Sequence, residues 1–391
     1  MKNIKSRIKK REKEIIKFTQ ELIRTPSQNG MDSEERIAKL VFDKLMKFGF
    51  SPKIIGSRKH PSVICFIKKK NPKKTIWLES CLDTVPAGDL RKWEVNPFEG
   101  KILGNKLYGR GAADSKIGIA LFSYLAKELS EDSSFQGNIF LGFDANEQSG
   151  VFSGMKEIIK FVPRANVCIL GYQSRKEISI GARGWLRIKL ITFGMSAHTG
   201  SRHHKGINAI HKAIEALSKV LKIKFKEQKN KLFKYGNSIN IVSIRGGVAI
   251  NVVPDKCEAI IDIRITPPEN YISVFRKLDK RLKIIQKNSK GFKYQMRIIQ
   301  KMNPFVSNPN YPFLKTLARN AKKILKENIP LTTMGAGSVG NLISQKRNIA
   351  IVNSFGVRCG NIHAPNEWVD ILDIQKIFQI YKDSLIEFVD K

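Results

Sequence analysis

The alternation of apolar and polar positions divides the chain into short strand-like runs separated by helical stretches. Apolar residues recur at helical spacing across Ile8–Ile23 and Ser33–Phe48, and the second stretch opens on the cap-like Ser33-Glu34-Glu35. Short apolar runs bounded by polar turns follow at Val63–Ile67, Ile76–Leu78, Ile139–Phe143 and Val167–Leu170. A helix over about residues 115–129 separates the second run from the third. This order predicts an α/β protein with a mixed sheet covered by helices.

From Glu177 the pattern changes. Ile178–Phe193 reads as one long alternating strand, Gly206–Ile223 as a helix, and Ser238–Ile244 and Glu258–Ile265 as two strands. Tyr271–Gln286 is helical again, and Tyr294–Gln300 is a last strand. The order β-α-β-β-α-β predicts a small ferredoxin-like unit, with two helices on one face of an antiparallel sheet. At 391 residues the chain exceeds one compact core. The expected division is a discontinuous catalytic-type domain, residues 1–176 with 299–391, interrupted by a lid or dimerisation domain at residues 177–298.

Composition narrows this picture only a little. Hydrophobic residues make up 42% of the chain, enough for an ordinary buried core. No run approaches the ~18 apolar residues of a membrane span, and no apolar signal core follows the charged N-terminus. Five scattered cysteines, an odd number, suit free thiols in a reducing compartment, so a cytoplasmic location is expected. The net charge of +36 is unusual. Its basic runs at Lys5–Lys13, Lys68–Lys74 and Lys222–Lys234 lie in unrelated segments without interleaved stacking aromatics, which argues against a specific nucleic-acid site. The field should still attract anionic substrates.

The polar residues of chemical interest share an address. Cys81 and Asp83 follow the run Ile76–Leu78, Glu147 and Gln148 follow Ile139–Phe143, and Tyr172 follows Val167–Leu170. Asp114 opens a helix after Gly109-Arg110-Gly111, and His363 follows Ile349–Ser354 through a glycine-containing loop. In open α/β sheets ligands bind beyond the carboxyl ends of the strands, where these loops should converge.

Three segments carry a resemblance that spans nearly the whole chain. They are Leu82-Asp83-Thr84-Val85-Pro86, Leu107 through Lys116, and His363-Ala364-Pro365-Asn366-Glu367. With Gly194–His198, Asn251-Val252-Val253-Pro254 and Asp262-Ile263-Arg264, the sequence resembles the two-zinc amidohydrolase family of acetylornithine deacetylase, succinyl-diaminopimelate desuccinylase and glutamate carboxypeptidase. The resemblance implies hydrolysis of an N-acyl amino acid or small peptide by a homodimer whose lid domains associate, with the strand Ile178–Phe193 expected to offer an edge for pairing. It also implies roles. Asp114 is the carboxylate bridging two divalent ions, and Asp83 orients the ligand two residues before it. Glu147 is the general base, and His363 is the terminal histidine ligand. His198 stabilises the oxyanion, while Arg264 and Asn251 hold the substrate.

The departures from the family pattern are informative. Cys81 stands where the first histidine ligand is expected, and Gln148 and Tyr172 stand where carboxylate ligands are expected. Two divalent ions bring four positive charges, yet Gln148 and Tyr172 are neutral in their ordinary states and are poor zinc ligands. One zinc or other divalent ion through Asp114, His363 and Cys81 therefore suits the sequence better than two. Three readings stay open: a hydrolase with an altered metal site, a metal-free acyl transferase using Cys81 with His363 and Asp83, and a non-catalytic binder of the same ligands.

Overall fold

The computed structural model describes residues 2–226 and 232–391; residues 227–231, within the basic run Lys222–Lys234, lie outside the described residues. The chain forms two compact units. The first comprises residues 1–181, 306–334 and 338–391, and the second comprises residues 182–305 and 335–337.

A six-stranded mixed sheet organises the first unit. Its order across the sheet is Lys53–Gly56, Pro61–Ile67, Gly137–Asp144, Lys74–Cys81, Val167–Leu170 and Ala350–Val352. Lys74–Cys81 runs parallel to Gly137–Asp144 on one side and to Val167–Leu170 on the other. Both central strands are buried almost throughout, as strands covered on two faces must be. The helix Ile117–Glu131 is apolar on nearly all sides and lies in the covering layer, packed against Lys2–Ile23 and Ile374–Asp390. Phe18, Leu22, Ile119, Phe122, Ile377 and Tyr381 are buried there, each contributing about 1.5–3 kcal/mol by its removal from water. The strand Lys53–Gly56 is exposed along most of its length, so it carries no apolar run for the sequence to reveal.

The second unit has the ferredoxin-like order. Helices Ala209–Val220 and Tyr271–Asn288 accompany a sheet whose strands lie in the order Ser238–Gly246, Lys256–Ile265, Gly184–Phe193, Lys293–Met302, all antiparallel. Its core joins Leu186, Ile188 and Leu190 to Ile261, Ile263, Leu278 and Leu282. Asn208 and Asn270 cap the two helices through their side-chain oxygens.

Two expectations need correction. The single strand expected over Ile178–Phe193 is two strands, Ile178–Ala182 and Gly184–Phe193, interrupted at Arg183. One polar residue does not break a period-two pattern, so the sequence conceals the point where the chain passes from one unit to the next. Gly184 there lies so close to the Met302–Pro304 backbone that a Cβ would sit 2.4 Å from the Met302 oxygen. Nor is this strand available for edge pairing. Gly184–Phe193 is flanked on both sides, and the free edges belong to Ser238–Gly246 and Lys293–Met302.

Candidate active site

The three central parallel strands end together; Cys81 is the last residue of its strand, and the loops beyond the carboxyl ends carry Asp83, Glu147, Gln148 and Tyr172. Asp83 is fully buried and works through the backbone. Its Oδ1 accepts the N–H of Glu147 at 2.9 Å, and its Oδ2 accepts the N–H of Gln148 at 3.0 Å and the Asn29 amide at 2.9 Å. Burial outweighs these bonds and pushes the Asp83 carboxyl up to about 6.

Glu147 is buried, and the phenol of Tyr172 donates to its Oε1 at 2.8 Å. Its pKa is driven well above the usual carboxylate range, first by burial and then by Asp114, Asp144 and Asp83. A carboxyl shifted in that direction is a stronger base than an ordinary carboxylate.

Asp114 and His363 meet at 2.6 Å between Oδ2 and Nε2. That contact raises the imidazole pKa, mainly through the hydrogen bond itself. His363 sits at φ 63, a left-handed conformation that a histidine rarely adopts and that here aims the ring at Asp114. The Gln148 amide donates to the same Asp114 oxygen at 3.3 Å, whereas Asp114 Oδ1 is buried with no hydrogen-bond partner.

Cys81 is enclosed beside these groups. Its thiol donates to the Asp83 carbonyl at 3.5 Å, lies 3.2 Å from Ser115 Oγ, and is approached by the Gln148 amide at 3.8 Å. Burial, then Asp114, Glu147, Asp83 and Asp144, pushes the thiol well above its ordinary pKa, so it stays protonated. The Cys81–His363 couple expected for a nucleophile and its base is not what the structure brings together, because the His363 Nε2 is engaged by Asp114.

Two residues not singled out for a role hold the site's frame. Glu367 and Arg110 form a buried ion pair at 2.6 Å. Glu367 also accepts the backbone N–H groups of Gly111, Ala113 and Asp114. One carboxylate therefore shapes the turn that presents Asp114. Both residues lie inside motif segments, but only the fold shows that they meet.

In the second unit His198 and Asn251 lie on neighbouring loops, joined by a Thr199 N–H to Asn251 carbonyl bond at 3.0 Å and a bridge between His198 and Val252. Both side chains are exposed. Arg264 is engaged by Asp262 at 2.8 Å.

The donor set decides how well divalent ions fit. Asp114 and His363 are ordinary ligands already side by side, and the unpaired Asp114 Oδ1 has lone pairs to offer. The amide, the phenol and the protonated thiol at the other three positions are poor ligands, and among the described residues no three His, Cys, Asp or Glu side chains converge as a metal shell. Of the expected ligand positions, Asp114 and His363 alone carry ordinary metal ligands.

A family model for Peptidase family M20/M25/M40 matches residues 77–387, most of the chain. The chain belongs to this family. It is 28% identical over 385 residues to a succinyl-diaminopimelate desuccinylase of Pelagibacter ubique (strain HTCC1062), covering 95% of this chain and 97% of that one. The M20 family metallo-carboxypeptidase Sso-CP2 from Sulfolobus solfataricus superposes with a TM-score of 0.80 at 19% identity, covering 97% of this chain and all of that one. A dinuclear metal-binding M20 peptidase from Bacillus subtilis superposes with a TM-score of 0.74 at 15% identity, covering 98% of this chain and 99% of that one. The M20 fold, a catalytic-type domain with an inserted lid, is thereby established.

Proposed function

We propose that this M20 protein hydrolyses the amide bond of an N-acyl amino acid or small peptide at an altered, single-ion site. The observation that carries the reading is the retained pair of working groups: Glu147 held by Asp83 and Tyr172, and Asp114 held against His363. The desuccinylase and carboxypeptidase activities named for its relatives support the substrate class.

Asp114 and His363 would hold the ion. When bound, a divalent ion lowers the pKa of a nearby water and polarises the substrate carbonyl. Glu147 takes a proton from the attacking water as the new carbon–oxygen bond forms and the carbonyl electron pair moves onto oxygen. The same carboxyl returns the proton to the amide nitrogen, the carbon–nitrogen bond breaks, and an acid and an amine leave. His198 is assigned to stabilising the oxyanion, and Arg264 and Asn251 to holding the substrate.

The test is metal content and turnover together. Protein purified without chelator should carry close to one equivalent of zinc, manganese or cobalt, and Glu147→Gln should lower kcat by about 10²-fold or more. Less than about a tenth of an equivalent of metal, or turnover indifferent to Glu147→Gln, sinks the reading. A binder without turnover is the second reading, favoured by the three changed ligand positions. Thermal stabilisation by N-acyl amino acids or dipeptides with no product formed would establish it.

The proposal includes a homodimer formed through the second unit. Its support is the free edge Ser238–Gly246, where Val242 and Ile244 are exposed, followed by the exposed Val248 and Ile250. Cytoplasmic residence belongs to the same proposal. It is supported by the five free cysteines, and no described helix is long and apolar enough to cross a membrane.

A further inference from the structure

The changed positions share more than the loss of a ligand. At two of them the new side chain is a hydrogen-bond donor aimed at an acid the site has kept. The Gln148 amide reaches Asp114 Oδ2 at 3.3 Å, and the Tyr172 hydroxyl reaches Glu147 Oε1 at 2.8 Å. We propose that Gln148 and Tyr172 form a donor clamp that takes the place of one of the two divalent ions, with Tyr172 acting as a positioning residue for the base Glu147. The inference rests on the proposed hydrolase only for its kinetic consequence.

Asp83 holds the backbone N–H groups of Glu147 and Gln148, and the Gln148 side chain reaches Asp114 in turn, so three carboxylates gather around one loop. Carboxylates gathered in a buried site need positive charge or donors against them, because unpaired charge there is costly. An ion supplies that compensation as charge; an amide and a phenol supply it as oriented N–H and O–H dipoles.

The two forms of compensation exclude each other. For Gln148 to ligate an ion, its carbonyl oxygen must replace the amide nitrogen that now faces Asp114. For Tyr172 to ligate one well, it must lose the proton it now donates to Glu147 at 2.8 Å. Cys81 completes the change, since its thiol is turned to the Asp83 carbonyl and Ser115 rather than standing free as a thiolate. His363 stays outside the clamp, leaving Asp114 and His363 as the place for one ion.

The test compares four proteins equilibrated with zinc or manganese alone and then freed of loosely held metal. They are the wild type, Tyr172→Phe, Gln148→Met and the triple reversal Cys81→His/Gln148→Glu/Tyr172→Glu. The wild type should hold at most one equivalent and the reversal close to two. In the chelated proteins Tyr172→Phe and Gln148→Met should each lower Tm by several degrees, because each strips a donor from a buried acid. Tyr172→Phe should lower kcat by about 10- to 100-fold with KM little changed, the size of one hydrogen bond to an ionised group.

Two equivalents in the wild type, or unchanged Tm for both single variants, overturns the clamp. Should the reversal fail to fold, the single variants decide on Tm alone. Absence of wild-type turnover removes the hydrolase and leaves the stoichiometry and Tm comparisons to judge the clamp.

Discussion

Asp83 holds Glu147 by its backbone: the aspartate Oδ1 accepts the glutamate N–H at 2.9 Å, and its second oxygen takes the N–H of Gln148. The residue expected to orient a metal ligand therefore anchors the loop that carries the base. Asp83→Asn sets an amide nitrogen against one of those N–H groups and should cost about 1–3 kcal/mol. It should also weaken any turnover that depends on Glu147. Because burial raises the Asp83 carboxyl from 3.8 to about 6, the folded state keeps a proton that the unfolded chain has lost across that window. The contribution of Asp83 to stability should therefore fall as pH rises from about 4 to 6. Thermal melts of both proteins over this range check the point, and the Asn variant should lack that component of the slope.

Much of this site was legible as an address. Short apolar strands fix where Asp83, Glu147 and Tyr172 emerge, since a buried strand needs continuous apolar residues and its end is marked by the first polar ones. Side-chain pairing was not legible. That Gln148 turns its amide to Asp114, or that Glu367 collects three backbone N–H groups, depends on residues 34 and more than 250 positions apart. The order of the second unit was readable from period alone, but not its first boundary, where Arg183 interrupts pairing without interrupting alternation.

The Arg110–Glu367 pair supports a prediction about the frame. Both side chains are about 1% exposed. Arg110→Met leaves the glutamate buried without its counter-charge and should cost about 3–5 kcal/mol, whereas replacing both partners with apolar residues should cost less. Because Glu367 also shapes the turn at Asp114, the single variant should hold metal more weakly than the wild type. Denaturant midpoints and metal titration measure the two effects, and equal stability in the single variant and the wild type would contradict the assignment.

Gly337 gives a packing test in the second unit. A Cβ there would lie 2.0 Å from the Trp185 ring, and Trp185 is itself almost fully buried. Gly337→Ala should destabilise this unit by about 1–3 kcal/mol through overpacking. Trp185→Phe in the same background should recover part of the loss by making room. Unfolding followed by tryptophan fluorescence in the Gly337→Ala protein would show it, and an unchanged midpoint would mean that the ring can move aside without cost.

Two acids beneath the site take no part in the proposed chemistry. Glu79 and Asp144 are fully buried on neighbouring parallel strands and act as hydrogen-bond neighbours of one another. Trp77 donates to Glu79 Oε2 at 2.7 Å; as ionised carboxylates the two acids would leave Glu79 Oε1 and both Asp144 oxygens without a donor. A proton held between them removes the conflict. Burial accordingly raises Glu79 to about 8, and burial together with Glu79 raises Asp144. The folded state then binds protons that the unfolded chain releases near pH 4.5. The pair's contribution to stability is full below that pH and is lost as pH rises through about 8. The wild-type Tm should fall between about pH 4.5 and pH 8. Glu79→Gln should flatten this fall, because its amide donates to Asp144 at every pH and cannot ionise. A variant that loses stability with pH as steeply as the wild type would place the proton elsewhere.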